Sequence, residues 1–212
     1  RSSLLVLSEV CAGGHALEHE WSVGVFNPQL ASAVGRLLGG CHTMTGLPAL
    51  WGEADNDLRH WAAMLELRTV AITAPLCNWP LQAQLQQLCA ASDSARTEGF
   101  FVLDCSPKNI LVGSAGIGLI DLELCGSIGD PAYDLGTLLG HCVLWGLCTA
   151  GPACQATIAA ALEAYRLQAP LDSPGAHSRI VAFAGAAILG AVVRRPRSEL
   201  QPFEARLLAT GA

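Results

Sequence analysis

The apolar positions along the chain fall into two kinds of run. Short continuous runs at residues 4–7, 100–103, 110–112 and 117–120 have the length and composition of strands. Longer stretches repeat at helical spacing. Leu30, Val34, Leu37, Leu38 and Cys41 share one face behind Asn27-Pro28, an N-cap residue followed by a proline suited to the first turn. Leu58, Trp61, Ala62 and Leu65 mark a second helix, and Leu81, Leu85, Leu88 and Cys89 a third. Asp130-Pro131 opens a fourth, through Leu135, Leu138, Leu139, Cys142, Val143 and on toward Leu147. Residues 154–168 and 177–193 predict two more, and a short last helix is expected to end near Ala209. Residues 44–56 read as loop, and the prolines at 75 and 80 break the chain. The pattern describes an α+β chain, mostly α-helical, with a few short strands.

Polar residues at the ends of the short runs carry the candidate chemistry. From Val102 to Asp134 the chain reads VLDCSPKNILVGSAGIGLIDLELCGSIGDPAYD. The first run stops at Asp104 and Asn109 opens the next. Gly113-Ser114-Ala115-Gly116 supplies turn chemistry for a hairpin, and the third run delivers Asp121 and Glu123. Taken singly, Asp104 and Asn109 are ordinary turn residues and Asp121 an ordinary strand end. As an ordered set they offer the hard oxygen ligands that Mg²⁺ prefers, and the carboxylate that phosphoryl transfer sets beside an acceptor hydroxyl.

The set resembles the C-terminal lobe of the aminoglycoside phosphotransferase and choline kinase-like family, which has a protein-kinase-like fold. That family's pattern is H-G-D-x4-N, a hairpin, (I/V)-D-x-(E/D), then G-D-P-x-(Y/F)-D-(L/I). This chain has Val102-Leu103-Asp104, Asn109, Ile120-Asp121-Leu122-Glu123 and Gly129-Asp130-Pro131-Ala132-Tyr133-Asp134-Leu135. The resemblance implies Asp104 as catalytic base, Asn109 and Asp121 as metal ligands, and Glu123 as an outer or second-metal contact. It implies that Asp134 anchors the catalytic loop and that His42, at a helix end, packs structurally. Residues 1–14 would be the last strand of the N-terminal lobe and the hinge, with the backbone at Glu9 and Val10 on adenine. Residues 15–212 would be the C-terminal lobe, with short strands around the catalytic loop. ATP and Mg²⁺ are the implied cofactors. The chain departs from the pattern where Val102 and Leu103 stand in place of His and Gly, positions that shape the loop rather than carry the proton.

Composition narrows the field. A chain of 212 residues, 51% hydrophobic, builds one domain or one large lobe. A net charge of −6 speaks against a basic nucleic-acid-binding surface. The longest apolar run, residues 180–193, is shorter than the ~20 residues of a membrane span and reads as a core helix. The nine cysteines are odd in number and lack C-x-x-C spacing, so reduced buried thiols in a cytoplasmic protein are expected. Cys105, inside the catalytic-loop motif, is the thiol expected to be accessible. Glu53, Asp55, Asp57 and Glu66 read as a solvated acidic face. Lys108 is the only lysine and no G-x-G-x-x-G occurs, so no phosphate-binding lobe is legible in these residues. The chain is therefore expected to be the C-terminal part of a longer protein.

The function expected is ATP- and Mg²⁺-dependent transfer of a phosphoryl group to a hydroxyl of a small molecule, such as an aminoglycoside or choline. The alternative is a degenerate kinase-like binding or regulatory module without turnover. A purely structural helical domain would show no clustered oxygen ligands.

Overall fold

The structure, a computed structural model, describes residues 14–50, 54–73, 79–114, 116–149 and 153–194. The run at 4–7, the hinge residues Glu9 and Val10, and the expected last helix lie outside the described residues. Described chain begins with β1 (His15–Ala16) and α1 (Leu17–Ser22), then α2 (Pro28–His42). Asn27 caps α2 as its pattern predicts, its Oδ1 accepting the N–H of Gln29 at 2.9 Å and of Leu30 at 3.2 Å. α3 (Ala54–Glu66) runs into a π-helical turn, Leu67–Ala71, before α4 (Trp79–Ser94). The strands follow: β2 (Thr97–Phe101), β3 (Ile110–Gly113), β4 (Gly116–Leu119) and β5 (Gly126–Gly129). Three helices complete the described chain: α5 (Pro131–Thr149), α6 (Cys154–Arg166) and α7 (Ala176–Arg194).

The helical half is built from two close pairs. Gly35 and Gly39 let α2 lie against α6, where a Cβ on Gly39 would come 2.7 Å from the Gln168 Cβ and 3.0 Å from the Tyr165 carbonyl oxygen. On α5, a Cβ on Gly140 would meet the Ala184 carbonyl oxygen at 2.5 Å. No larger residue fits such backbone approaches. α7 is long and apolar enough to cross a membrane by length and composition, and here it lies along α5 with Ile180, Phe183 and Ala186 buried. Leu38, Trp61, Phe101, Leu135, Tyr165 and Phe183 belong to the main core.

The strands form two small antiparallel sheets, β1-β3-β4 and β2-β5. The expected hairpin is present: Ile110 pairs with Leu119 and Gly113 with Gly116. The fold is thus α+β and mostly helical.

Three local expectations are corrected. The strand read at 100–103 is Thr97–Phe101, because Leu103 has a left-handed backbone (φ 58°) that no ladder accepts. Asp57 is not part of a solvated face. It is 1% exposed and hydrogen-bonds the Ser127 hydroxyl and the Leu50 N–H. Cys105 is fully buried rather than accessible. The seven cysteines among the described residues are free thiols, while Cys11 and Cys77 lie outside them.

Candidate active site

Asp104 is placed by a loop that Asp134 holds from behind. Asp134 sits in the first turn of α5 and is completely buried. Its carboxylate accepts the N–H of Val102 at 2.8 Å and of Leu103 at 3.0 Å. These are the two amides that leave the β2 ladder, so the carboxylate replaces the partners the strand would have given them. His42 Nε2 reaches the same carboxylate at 3.1 Å, and its Nδ1 meets the Tyr165 hydroxyl at 2.8 Å. The His42 ring stacks on Phe101 with centroids 4.7 Å apart. The Asp130-Pro131 pair fixes where α5 starts. Asp130 Oδ1 accepts the Ala132 N–H at 3.0 Å, and its carboxylate is forked by Arg179 at 2.7 and 3.3 Å.

From Asp104 the chain turns tightly. The Ser106 N–H donates to the Asp104 carbonyl at 2.7 Å and the Asn109 N–H to the Ser106 carbonyl at 2.9 Å, closing the 3₁₀ turn Pro107–Asn109. Buried Asn109 donates its side-chain N–H to the Asp104 carbonyl at 3.0 Å. With the amide nitrogen so committed, Oδ1 is the atom left to serve a ligand. The Ile120 N–H donates to the Asn109 carbonyl at 3.0 Å, carrying the β3-β4 ladder one step further. Asp121 follows directly, exposed and left-handed (φ 58°), and Glu123 is exposed on the 3₁₀ turn Leu122–Leu124. Asp104, Asn109 and Asp121 therefore gather at one end of the hairpin, and Glu123 lies just beyond it.

Among the described residues no group of three or more His, Cys, Asp or Glu could hold a metal ion. An Asn and an Asp completed by phosphate and water oxygens are not such a cage, and their hard donors suit Mg²⁺.

Arg68 is the residue that sequence reasoning missed. The π turn after α3 carries it to Asp104, where Nη1 lies 2.9 Å from Oδ1. Lys108 Nζ stands 3.4 Å from the other carboxylate oxygen. Burial alone pushes the Asp104 carboxyl upward. Arg68, then Lys108, outweigh it and hold the carboxyl below its usual range. The available signal was an arginine in the apolar stretch Leu67-Arg68-Thr69-Val70-Ala71-Ile72, since a half-buried guanidinium calls for an anionic partner. Asp104 also lines two adjoining clefts, of about 30 and 230 Å³, between the 104–109 loop, α5 and α7.

The sequence model of the phosphotransferase enzyme family matches residues 13–177, from before β1 to the start of α7. The chain belongs to the phosphotransferase enzyme family. No curated protein matches it. In this phosphotransferase-family chain Val102 and Leu103 are both buried. Leu103 holds a left-handed φ, which glycine adopts without penalty and leucine at a cost of ~1 kcal/mol. Its side chain is 1% exposed, and that burial, at ~2–3 kcal/mol, outweighs the strain.

Proposed function

We propose that this chain supplies the catalytic lobe of an ATP- and Mg²⁺-dependent phosphotransferase acting on a hydroxyl of a small molecule. The observation that carries the reading is the linkage of the three polar positions. Asn109 is tied to Asp104 through its side chain at 3.0 Å and to the Asp121 end of the hairpin through its carbonyl at 3.0 Å. This linkage supports reading Asp104 as the carboxylate for the acceptor, and Asn109 and Asp121 as oxygen donors for a metal.

Asn109 and Asp121 would hold Mg²⁺, with Glu123 as an outer contact. When bound, Mg²⁺ supplies charge neutralisation on the phosphates. Adenine would lie against the backbone at Glu9 and Val10, a part of the proposal that rests on the family resemblance. Asp104 accepts a hydrogen bond from the acceptor hydroxyl and orients it. ATP, when bound, would supply the γ-phosphoryl group to the hydroxyl oxygen and leave as ADP, and the hydroxyl proton would pass to Asp104. Because Arg68 and Lys108 keep Asp104 ionised and weakly basic, its contribution is positioning more than proton abstraction. The unbonded thiols of the described residues support a reducing, cytoplasmic setting.

The test is Asp104→Asn in the full-length protein. Turnover is expected to fall at least ~10²-fold, with Mg²⁺-ATP affinity little changed. Asp121→Ala is expected instead to weaken metal-nucleotide binding. Wild-type turnover by Asp104→Asn would remove Asp104 from the mechanism and favour the degenerate, binding-only module.

A further inference from the structure

The clefts that meet at Asp104 together set three cations, Arg68, Lys108 and Arg194, against two carboxylates, Asp104 and Glu18, over an apolar floor. The outer one is lined by Glu18, Asp104, Ser106, Lys108, His141 and Arg194, along with Ala191. The inner one shares Asp104, His141 and Arg194 and adds Arg68, with Tyr133 and Phe183 beneath. The chain has only 12 Lys and Arg residues and a net charge of −6, yet Arg68, Arg194 and its one lysine all face this place. The carboxylates set against them are Asp104 and Glu18. Asp104 answers both Arg68 at 2.9 Å and Lys108 at 3.4 Å, so one negative charge is shared between two cations.

A cationic alcohol with its hydroxyl at Asp104 would add a like charge to this set. The aromatic rings of the cleft are already used. Tyr133 and Phe183 are 4% and 2% exposed and meet edge to face with centroids 5.1 Å apart. They offer an apolar floor, not an aromatic cage. Arg194 stands in the last turn of α7, exposed, its Nε donating to the Gly190 carbonyl at 3.1 Å, and it lines both clefts. A guanidinium fork matches a carboxylate or a phosphate in shape as well as charge.

We propose that the acceptor is an anionic alcohol, a small hydroxy compound bearing a carboxylate or a phosphate, whose charge sits against Arg194 and Lys108 while its hydroxyl reaches Asp104. The transfer to that hydroxyl rests on the phosphotransferase reading above; the binding of the anion does not.

The experiment is calorimetric titration of the full-length protein, without nucleotide, by four probes: 3-hydroxybutyrate, glycerol 3-phosphate, glycerol and choline. One of the two anions is expected to bind at least about tenfold more tightly than glycerol or choline, and which one tells carboxylate from phosphate. Arg194→Glu is expected to weaken that binding by about tenfold or more, and Arg194→Lys, which keeps the charge but not the fork, by less than Arg194→Glu. Preference for choline, anion binding indifferent to Arg194→Glu, or binding of none of the four would each overturn the proposal. Mg²⁺-ATP is titrated separately. Arg194-dependent anion binding without nucleotide binding or transfer would leave this inference standing and remove the phosphotransferase reading. Transfer to a cationic or neutral acceptor would do the reverse.

Discussion

Asp134 Oδ1 accepts the backbone N–H of Leu103 at 3.0 Å, at the residue whose φ is 58°. The carboxylate thereby supports a backbone conformation that leucine on its own disfavours. Asp134→Ala would leave two buried amides, those of Val102 and Leu103, without an acceptor, at ~1–3 kcal/mol each. A loss of about 3–5 kcal/mol in urea unfolding is expected. Leu103→Gly would relieve ~1 kcal/mol of strain but give up a buried side chain worth ~3 kcal/mol, so it too should destabilise, by about 2 kcal/mol. A stabilised Leu103→Gly protein would show that the leucine is not packed as described.

Arg68 controls the ionisation of Asp104. Burial raises that carboxyl and Arg68 is the largest influence lowering it, so Arg68→Met should move its pKa upward. The sign for stability follows. A carboxyl whose folded pKa lies below its unfolded one stabilises the fold above the unfolded pKa, and that contribution fades as pH falls through the folded value. Wild-type protein should therefore keep this contribution further into acid than Arg68→Met does. NMR titration of the Asp104 carboxyl, with denaturation midpoints against pH, measures both.

The Asp130–Arg179 pair is a case where breaking a link matters more than having made it. The two side chains are 2% and 7% exposed and lie 2.7 Å apart. Arg179→Ala would strand a buried carboxylate that keeps only the Ser92 hydroxyl and the Ala132 N–H. A loss of about 3–5 kcal/mol is expected, read from thermal unfolding.

Cys154 should be the first of the described thiols to alkylate. Its Sγ lies 3.7 Å from that of Cys142, where either sulfur can donate, and 3.4 Å from the Cys142 carbonyl; with Cys142 as donor the pair shares a proton, which draws the Cys154 thiol below its usual value while Cys142 is pushed up. Burial raises Cys41, Cys105 and Cys125, and lifts Cys89 to about 11. Iodoacetamide at neutral pH followed by peptide mapping should mark Cys154 first, and its rate should rise at lower pH than that of an ordinary cysteine. Cys142→Ala should remove the advantage.

The helices were legible because their apolar faces recur over several turns and because Asn27 and Asp130 announce the starts of α2 and α5. The β3-β4 hairpin was legible from its turn residues. The strand boundary near Asp104 was not. Val102 and Leu103 are as apolar as a strand requires, and only the distant Asp134 carboxylate shows that their amides are bound elsewhere. Asp57 misled for the same reason. Its acidic neighbourhood suggested solvent, and its actual partner, Ser127, is seventy residues away in sequence. Arg68 was legible only as an arginine in an apolar stretch, since nothing local marks the turn that carries it to Asp104.

That turn has a consequence for the chain as a rotary object. The Ile72 N–H bonds to the Leu67 carbonyl at 3.0 Å, five residues back rather than four. One residue corresponds to about 100° of α-helical rotation. The wide turn is a phase shift between the part of the helix that carries Trp61 and Leu65 into the core and the part that carries Ile72 to the Gly190 edge of α7. Deleting a single residue between 67 and 71 would swing one part by that angle against the other. Length at this point in the chain is therefore as strictly set as residue type is at Asp104.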